Sequence, residues 1–168
     1  EMPLSLVGSE MCIRDSVSSF IMNDTALNID DTSTVTLVFS EAVTGFSSDD
    51  DITASNGNLS TMTSVDNKTW TGTYTPDADV ENTTNVLTLA EDYTDTAGNA
   101  GPSNTSANYT VDTIAPTVSS FTMDDTALNI DDTSTVTLVF SVPVTGFSSD
   151  DDITASNGTL STMTSVDN

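Results

Sequence analysis

Residues 17–67 are written again 101 positions later, as residues 118–168, with five differences over 51 aligned positions. The differences are Ile21/Thr122, Asn23/Asp124, Glu41/Val142, Ala42/Pro143 and Asn58/Thr159. A helical solenoid repeats every 20–50 residues or so, whereas a unit of about 100 residues suits one β-sandwich per repeat. The chain therefore reads as a whole module at 17–112, a linker at 113–117 and the N-terminal half of a second module at 118–168. Residues 69–111 have no second copy in the chain. Half a sandwich exposes its inner face, so the second module is expected to be marginal by itself.

Alternation of period two runs through the first module. In STVTLVFS (33–40), Val35, Leu37 and Phe39 share one face and Thr34 and Thr36 the other. In TWTGTYT (69–75), Trp70, Gly72 and Tyr74 face away from four threonines. Further strands are expected at 17–22, 43–46, 51–54, 59–65, 84–90 and 105–111, the last with Ala107, Tyr109 and Val111 on one side. Asn56-Gly57 is a turn signal, and 91–103 is a long loop rich in Asp, Gly and Asn. About seven short strands without a helical period predict an all-β fold, with immunoglobulin-like β-sandwich repeats in tandem and the second copy truncated.

Charge narrows the partners. The chain has 26 Asp and Glu against 2 Lys and Arg, a formal net charge of −24. Such a surface repels nucleic acid and anionic membranes and favours hard cations that take carboxylate oxygens. High charge is also a mark of disorder, but the apolar residues alternate in register with Thr and Ser, and an ordered β module follows. No apolar run approaches the length of a membrane span. Residues 1–16 hold the sole Arg and the sole Cys (Cys12), lack a signal-peptide pattern and resemble sequencing-adapter read-through, so they are set aside as a non-native or disordered leader.

Catalytic chemistry has little to stand on. There is no His, and Cys12 lies outside the repeat, which excludes His-based triads and Cys–His pairs. Asp31-Thr32-Ser33 and Asp132-Thr133-Ser134 match the Asp-Thr-Ser/Gly wording of aspartic proteases, yet each also suits a turn before a strand. The carboxylates at 49–51 have the types needed for glycoside hydrolysis without a recognisable sugar cleft around them. Trp70 and Tyr74 read either as a sugar-stacking platform or as core plugs. Calcium, which takes six to eight oxygen ligands, is the one chemical expectation. Its candidate ligands are Asp92, Asp95 and Asn99 in the long loop, Asp112 at the linker, and Asp124 and Asp125 in the first turn of the second module. They are expected to meet at one pole, where binding would rigidify the joint. The competing reading is solvated acidic turns.

VTLVFSEAVTGF (35–46), TASNGNLS (53–60), TDTAGNAG (94–101) and ANYTVDTIAPTV (107–118) together resemble the bacterial immunoglobulin-like repeat of very large surface adhesins. The resemblance covers residues 17–168. It implies an extracellular stalk of tandem sandwiches, often stiffened by calcium at the joints, with Asp112, Asp95 and Asn99 the best matches to joint ligands. Its partners would be neighbouring modules of the same chain, with a surface ligand bound elsewhere in the full protein. The departure at Val142-Pro143 leaves any role for Glu41 open. The alternative is a carbohydrate-binding or accessory β module of a secreted hydrolase.

Overall fold

The structure, a computed structural model, describes residues 16–165 and divides between Ile114 and Ala115 into two units. The leader expected at residues 1–16 lies outside the described residues except for Ser16. Ser16 belongs to the fold: its N–H donates to Ser40 Oγ (3.0 Å), and its carbonyl accepts the Ser40 N–H (2.8 Å).

The first unit contains β1 (Val17–Met22), β2 (Ala26–Asn28), β3 (Ser33–Phe39), β4 (Val43–Thr44), the single helical turn α1 (Ser48–Asp51), β5 (Ile52–Ala54), β6 (Gly57–Leu59) and β7 (Thr69–Pro76). It continues with β8 (Glu81–Asn85), β9 (Leu87–Leu89), β10 (Thr94–Asp95), β11 (Asn104–Thr105) and β12 (Tyr109–Asp112). One layer is antiparallel, in the order β1-β3-β7-β6. The other is written in two pieces, β2-β12-β8 and β11-β9-β5. Ser106 joins the pieces: its N–H donates to the Leu87 carbonyl, and its Oγ accepts the Leu87 N–H, each at 2.9 Å.

Alternation explains the layers. Val35, Leu37 and Phe39 of β3 are buried, as is Tyr74 on the inner face of β7, while the intervening threonines face outward or lie at the layer edge. Leu27, Leu87, Leu89, Tyr109 and Val111 close the core from the other side. The Tyr74 and Tyr109 rings meet edge to face at 5.1 Å, and both hydroxyls donate to the Ser55 carbonyl at 2.7 Å.

Several expected elements differ. The strand expected at 84–90 breaks at Val86, because its first part pairs with β12 and its second with β5 and β11. The strand expected at 105–111 breaks likewise, leaving Ala107 exposed and Ser106 buried. Of the strand expected at 59–65, only the Gly57–Leu59 edge strand and an isolated Thr63–Thr71 bridge form. Asn56-Gly57 is no hairpin turn: Asn56 (φ 52°) carries the chain from β5 in one layer to β6 in the other. A β-carbon at Gly57 would collide with the Tyr74 hydroxyl, so close packing as well as turn geometry selects glycine here. The helical turn at Ser48–Asp51 is held by the Asp51 carboxylate, which accepts the Ser47 N–H at 2.8 Å.

Strand direction sets where the chain enters and leaves. Val17 pairs with Phe39 at the far end of β3, whereas Asp112 pairs with Asn28 and Glu81, beside the turn that leads into Ser33. The first unit therefore begins at one pole of the sandwich and ends at the other. Thr113, expected in the linker, is buried with the first unit. Its N–H donates to the Val80 carbonyl (2.7 Å), and its Oγ1 accepts the Val80 N–H (2.9 Å) and donates to the Asp77 carbonyl (2.8 Å).

The second unit contains β13 (Val118–Met123), paired with β14 (Val136–Phe140), and the helical turn α2 (Ser149–Asp152). The β13–β14 register repeats that of β1–β3, including the bulge after its first residue.

Candidate functional site

The long loop closes on itself. β10 pairs with β4, Asp95 opposite Val43. Asn99 donates from its backbone N–H to Asp95 Oδ1 (2.8 Å) and from its side-chain amide to Asp95 Oδ2 (2.6 Å). These bonds hold the Asp95 carboxyl below the usual carboxylate range, side-chain donation contributing most. Gly98, at φ 90°, supplies the left-handed step that lets Asn99 fold back. Asp95 is buried and Asp92, three residues earlier, is exposed. Between them Tyr93 packs against Phe39 at 4.9 Å and donates its hydroxyl to the Pro102 carbonyl.

Asp112 stands at the opposite pole from this loop. Residues 104–112 lead from one pole to the other, so the loop that precedes the last strand cannot share a pole with that strand's exit. The expectation that Asp95, Asn99 and Asp112 meet is corrected by this strand direction. Asp112 is exposed, and its Oδ1 accepts the Ile114 N–H at 3.3 Å. In the second unit, Asp124 Oδ1 accepts the Ser134 hydroxyl (2.8 Å) and the Thr135 N–H (2.6 Å), which lowers the Asp124 pKa. Asp125 Oδ1 accepts the Ala127 N–H at 2.9 Å. Of the six candidates, the fold brings Asp95 and Asn99 together as partners in one turn, and it commits Asp124 and Asp125 to their own corner. Among the described residues no group of three or more acidic side chains is gathered to hold a metal. These residues do not fit a single calcium sphere in the first unit.

The other acidic motifs are also occupied by turn geometry. Asp31 Oδ2 accepts the Asn28 N–H (2.9 Å) and Asp132 Oδ2 the Asn129 N–H (2.8 Å), each closing a turn whose preceding aspartate has φ near +66° (Asp30 66°, Asp131 67°). That is the work of an Asx-type turn. In the 49–51 cluster, Asp49 accepts the Thr61 hydroxyl at 2.9 Å, and Asp51 is turned inward onto Ser47. Trp70 lies edge-on to Phe46 at 4.8 Å with its indole N–H buried, and Tyr74 is wholly buried, so both serve the core rather than a sugar platform. A shallow groove of about 290 Å³ on the outer face is lined by Thr34, Ser60, Thr61, Thr63, Thr71, Gly72 and Thr73, with no titratable side chain.

Buried polar residues carry structural duties that composition did not reveal. The Asn85 amide donates to the Asn82 and Tyr109 carbonyls and its Oδ1 accepts from Asn56, bridging the break at Val86. Ser48 Oγ accepts the Met62 N–H at 2.7 Å, fastening the segment that follows β6. A signal existed for Asn85: it is a polar residue at an inward position beside Leu87 and Leu89 in an otherwise alternating run.

No curated protein and no solved structure matches the chain. No helix among the described residues is long and apolar enough to cross a membrane. The bacterial Ig-like domain family matches residues 16–111 and again residues 112–168, and the chain belongs to that family.

Proposed function

We propose that the chain is a structural spacer, a stalk segment of a bacterial cell-surface or secreted adhesin, with no catalytic role. The observation that carries this reading is the polarity of the first unit, which starts beside Phe39 and leaves beside Asn28 and Glu81 at the other end. A sandwich threaded from pole to pole adds its own height to a tandem chain. Family membership supports a structural module, and domains of this family typically belong to extracellular proteins. The 101-residue repeat and the net charge of −24 suit a soluble, repetitive stalk. The carbohydrate-binding alternative loses its main support, because Trp70 and Tyr74 are packed inward.

Pulling the chain by its ends in a single-molecule instrument tests the reading. A stalk element resists and then unfolds in one event, releasing on the order of 300 Å of contour for a unit of this size. Smooth extension without a force peak would contradict a mechanical role. Repeating the pulls in calcium and in chelator tests the calcium expectation separately: a calcium-dependent rise in unfolding force, lost in Asp112→Ala, would support metal at the linker pole. Superimposable traces would leave the stalk without it.

A further inference from the structure

We propose that the first unit, pulled from its two poles, yields at the entry strands β1 and β2 while the exit strand β12 keeps its grip. The inference rests on the stalk reading, since it concerns a unit under tension. Tension is the same at both poles, so the end with the weaker hold gives way.

Both ends are loaded along their strands. β1 starts beside Phe39 at the entry pole and runs to Met22, opposite Val35, so an outward pull on Val17 slides it along β3. β12 runs toward the exit pole and ends in Asp112, so an outward pull there slides it along β2 and β8. A ladder loaded in this direction shares the force over all its bonds. The number of ladders, and the burial beneath them, then decides which end is stronger.

The entry strands are held on one side. β1 is an edge strand bonded to β3 alone, and β2 is an edge strand bonded through three residues to β12 alone. Across residues 16–32 only Phe20 and Leu27 are buried. The corner between the two strands adds Ser33, whose hydroxyl accepts the Asp24 N–H at 3.0 Å and donates to the Asp24 carbonyl at 2.8 Å.

The exit strand is held on both sides. β12 is the middle strand of β2-β12-β8, and Tyr109, Val111 and Thr113 are all buried. The Asn85 side chain adds a bond to the Tyr109 carbonyl at 3.1 Å. Thr113 then keys the end of the strand, through its backbone bond to the Val80 carbonyl and its Oγ1 bonds to the Val80 N–H and the Asp77 carbonyl. Withdrawing β12 breaks two ladders and uncovers three buried side chains. Withdrawing β1 breaks one ladder and uncovers Phe20.

The test holds the full chain by its ends at constant force and times the unfolding of the first unit, recognised by its released length, in two variants. Leu27→Ala weakens the entry side, with Phe20→Leu as a milder entry variant should Leu27→Ala fail to fold. Thr113→Val removes the Oγ1 bonds of the exit side and keeps the shape of the side chain. Contacts already broken at the barrier speed unfolding when weakened, and contacts still intact there do not. Leu27→Ala or Phe20→Leu should therefore unfold at least about tenfold faster than the natural chain and Thr113→Val within about twofold of it, although thermal melting should fall in both. Equal acceleration by entry and exit variants, or acceleration by Thr113→Val alone, would overturn the inference and leave the stalk reading standing. A natural chain that extends without any resisting event would overturn both.

Discussion

Residues 17–67 and 118–168 are nearly the same sequence in two surroundings. Their corners are alike: Asp24 and Asp125 each accept the N–H two residues on, Asp31 and Asp132 each close an Asn-Ile-Asp-Asp turn, and the two hairpins share one register. Their burial is not alike. Val35, Leu37 and Phe39 are sealed beneath residues 69–111, while Val136, Leu138 and Phe140 are only partly covered. Ala26–Asn28 forms a strand because β12 lies parallel to it, and residues 127–129 form none. Local side-chain bonding therefore fixes turns and hairpin register. The core and the remaining strand depend on the complementary half.

The largest separation should come from core truncation. Leu37→Ala should cost the first unit about 3 kcal/mol, whereas Leu138→Ala should cost less than about 1 kcal/mol. Urea unfolding followed by Trp70 fluorescence reads the first unit alone, because the chain's Trp and Tyr residues all precede residue 118. A lowered midpoint for Leu138→Ala in that assay would break the comparison.

Overpacking should separate the copies next. Gly57→Ala drives a β-carbon into the Tyr74 hydroxyl and should cost about 1–3 kcal/mol, while Gly158→Ala should stay within about 0.5 kcal/mol. Differential scanning calorimetry of the two variants would show it.

Alkali should act on the first unit. Burial raises the phenol pKa values of Tyr74 and Tyr109 above their ordinary value near 10. A raised folded pKa contributes stability that is present below the unfolded value and is lost as pH climbs above it. Melting temperature by Trp70 fluorescence should fall steadily above pH 10, and Tyr109→Phe should soften the slope. A flat profile to pH 12 would contradict the burial.

The smallest difference is acid-dependent. Asp124 titrates where its counterpart Asn23 does not, and its folded pKa is depressed by Ser134 and Thr135. A depressed carboxyl contributes stability above its unfolded value near 4 and loses it as pH falls through the folded value. The Thr135 amide resonance should titrate below pH 4 in the natural chain and stop doing so in Asp124→Asn.

Much of the sandwich was legible in the sequence because one face of β3 and β7 is core and the other is water, which writes period two into STVTLVFS and TWTGTYT. Pairing partners are not written locally. Nothing in residues 84–90 announces that Asn85 and Leu87 belong to different hydrogen-bonding neighbours, and Ser106 rather than Ala107 turns inward because its hydroxyl serves Leu87. The acidic loop misled for a related reason. Asp95 and Asn99 were legible as partners in chemistry, but the chemistry is turn closure, and strand direction carries Asp112 to the other pole. Composition counts carboxylates without saying which oxygens the backbone already uses.

Hydrogen exchange at equivalent amides in one sample tests the central claim most directly. With identical strand sequences, Val35–Phe39 should exchange only on unfolding of the first unit, and Val136–Phe140 at least about a thousandfold faster, since a lone two-stranded hairpin is marginal in water. Equal protection of the two strands would contradict the account that residues 69–111 make the difference.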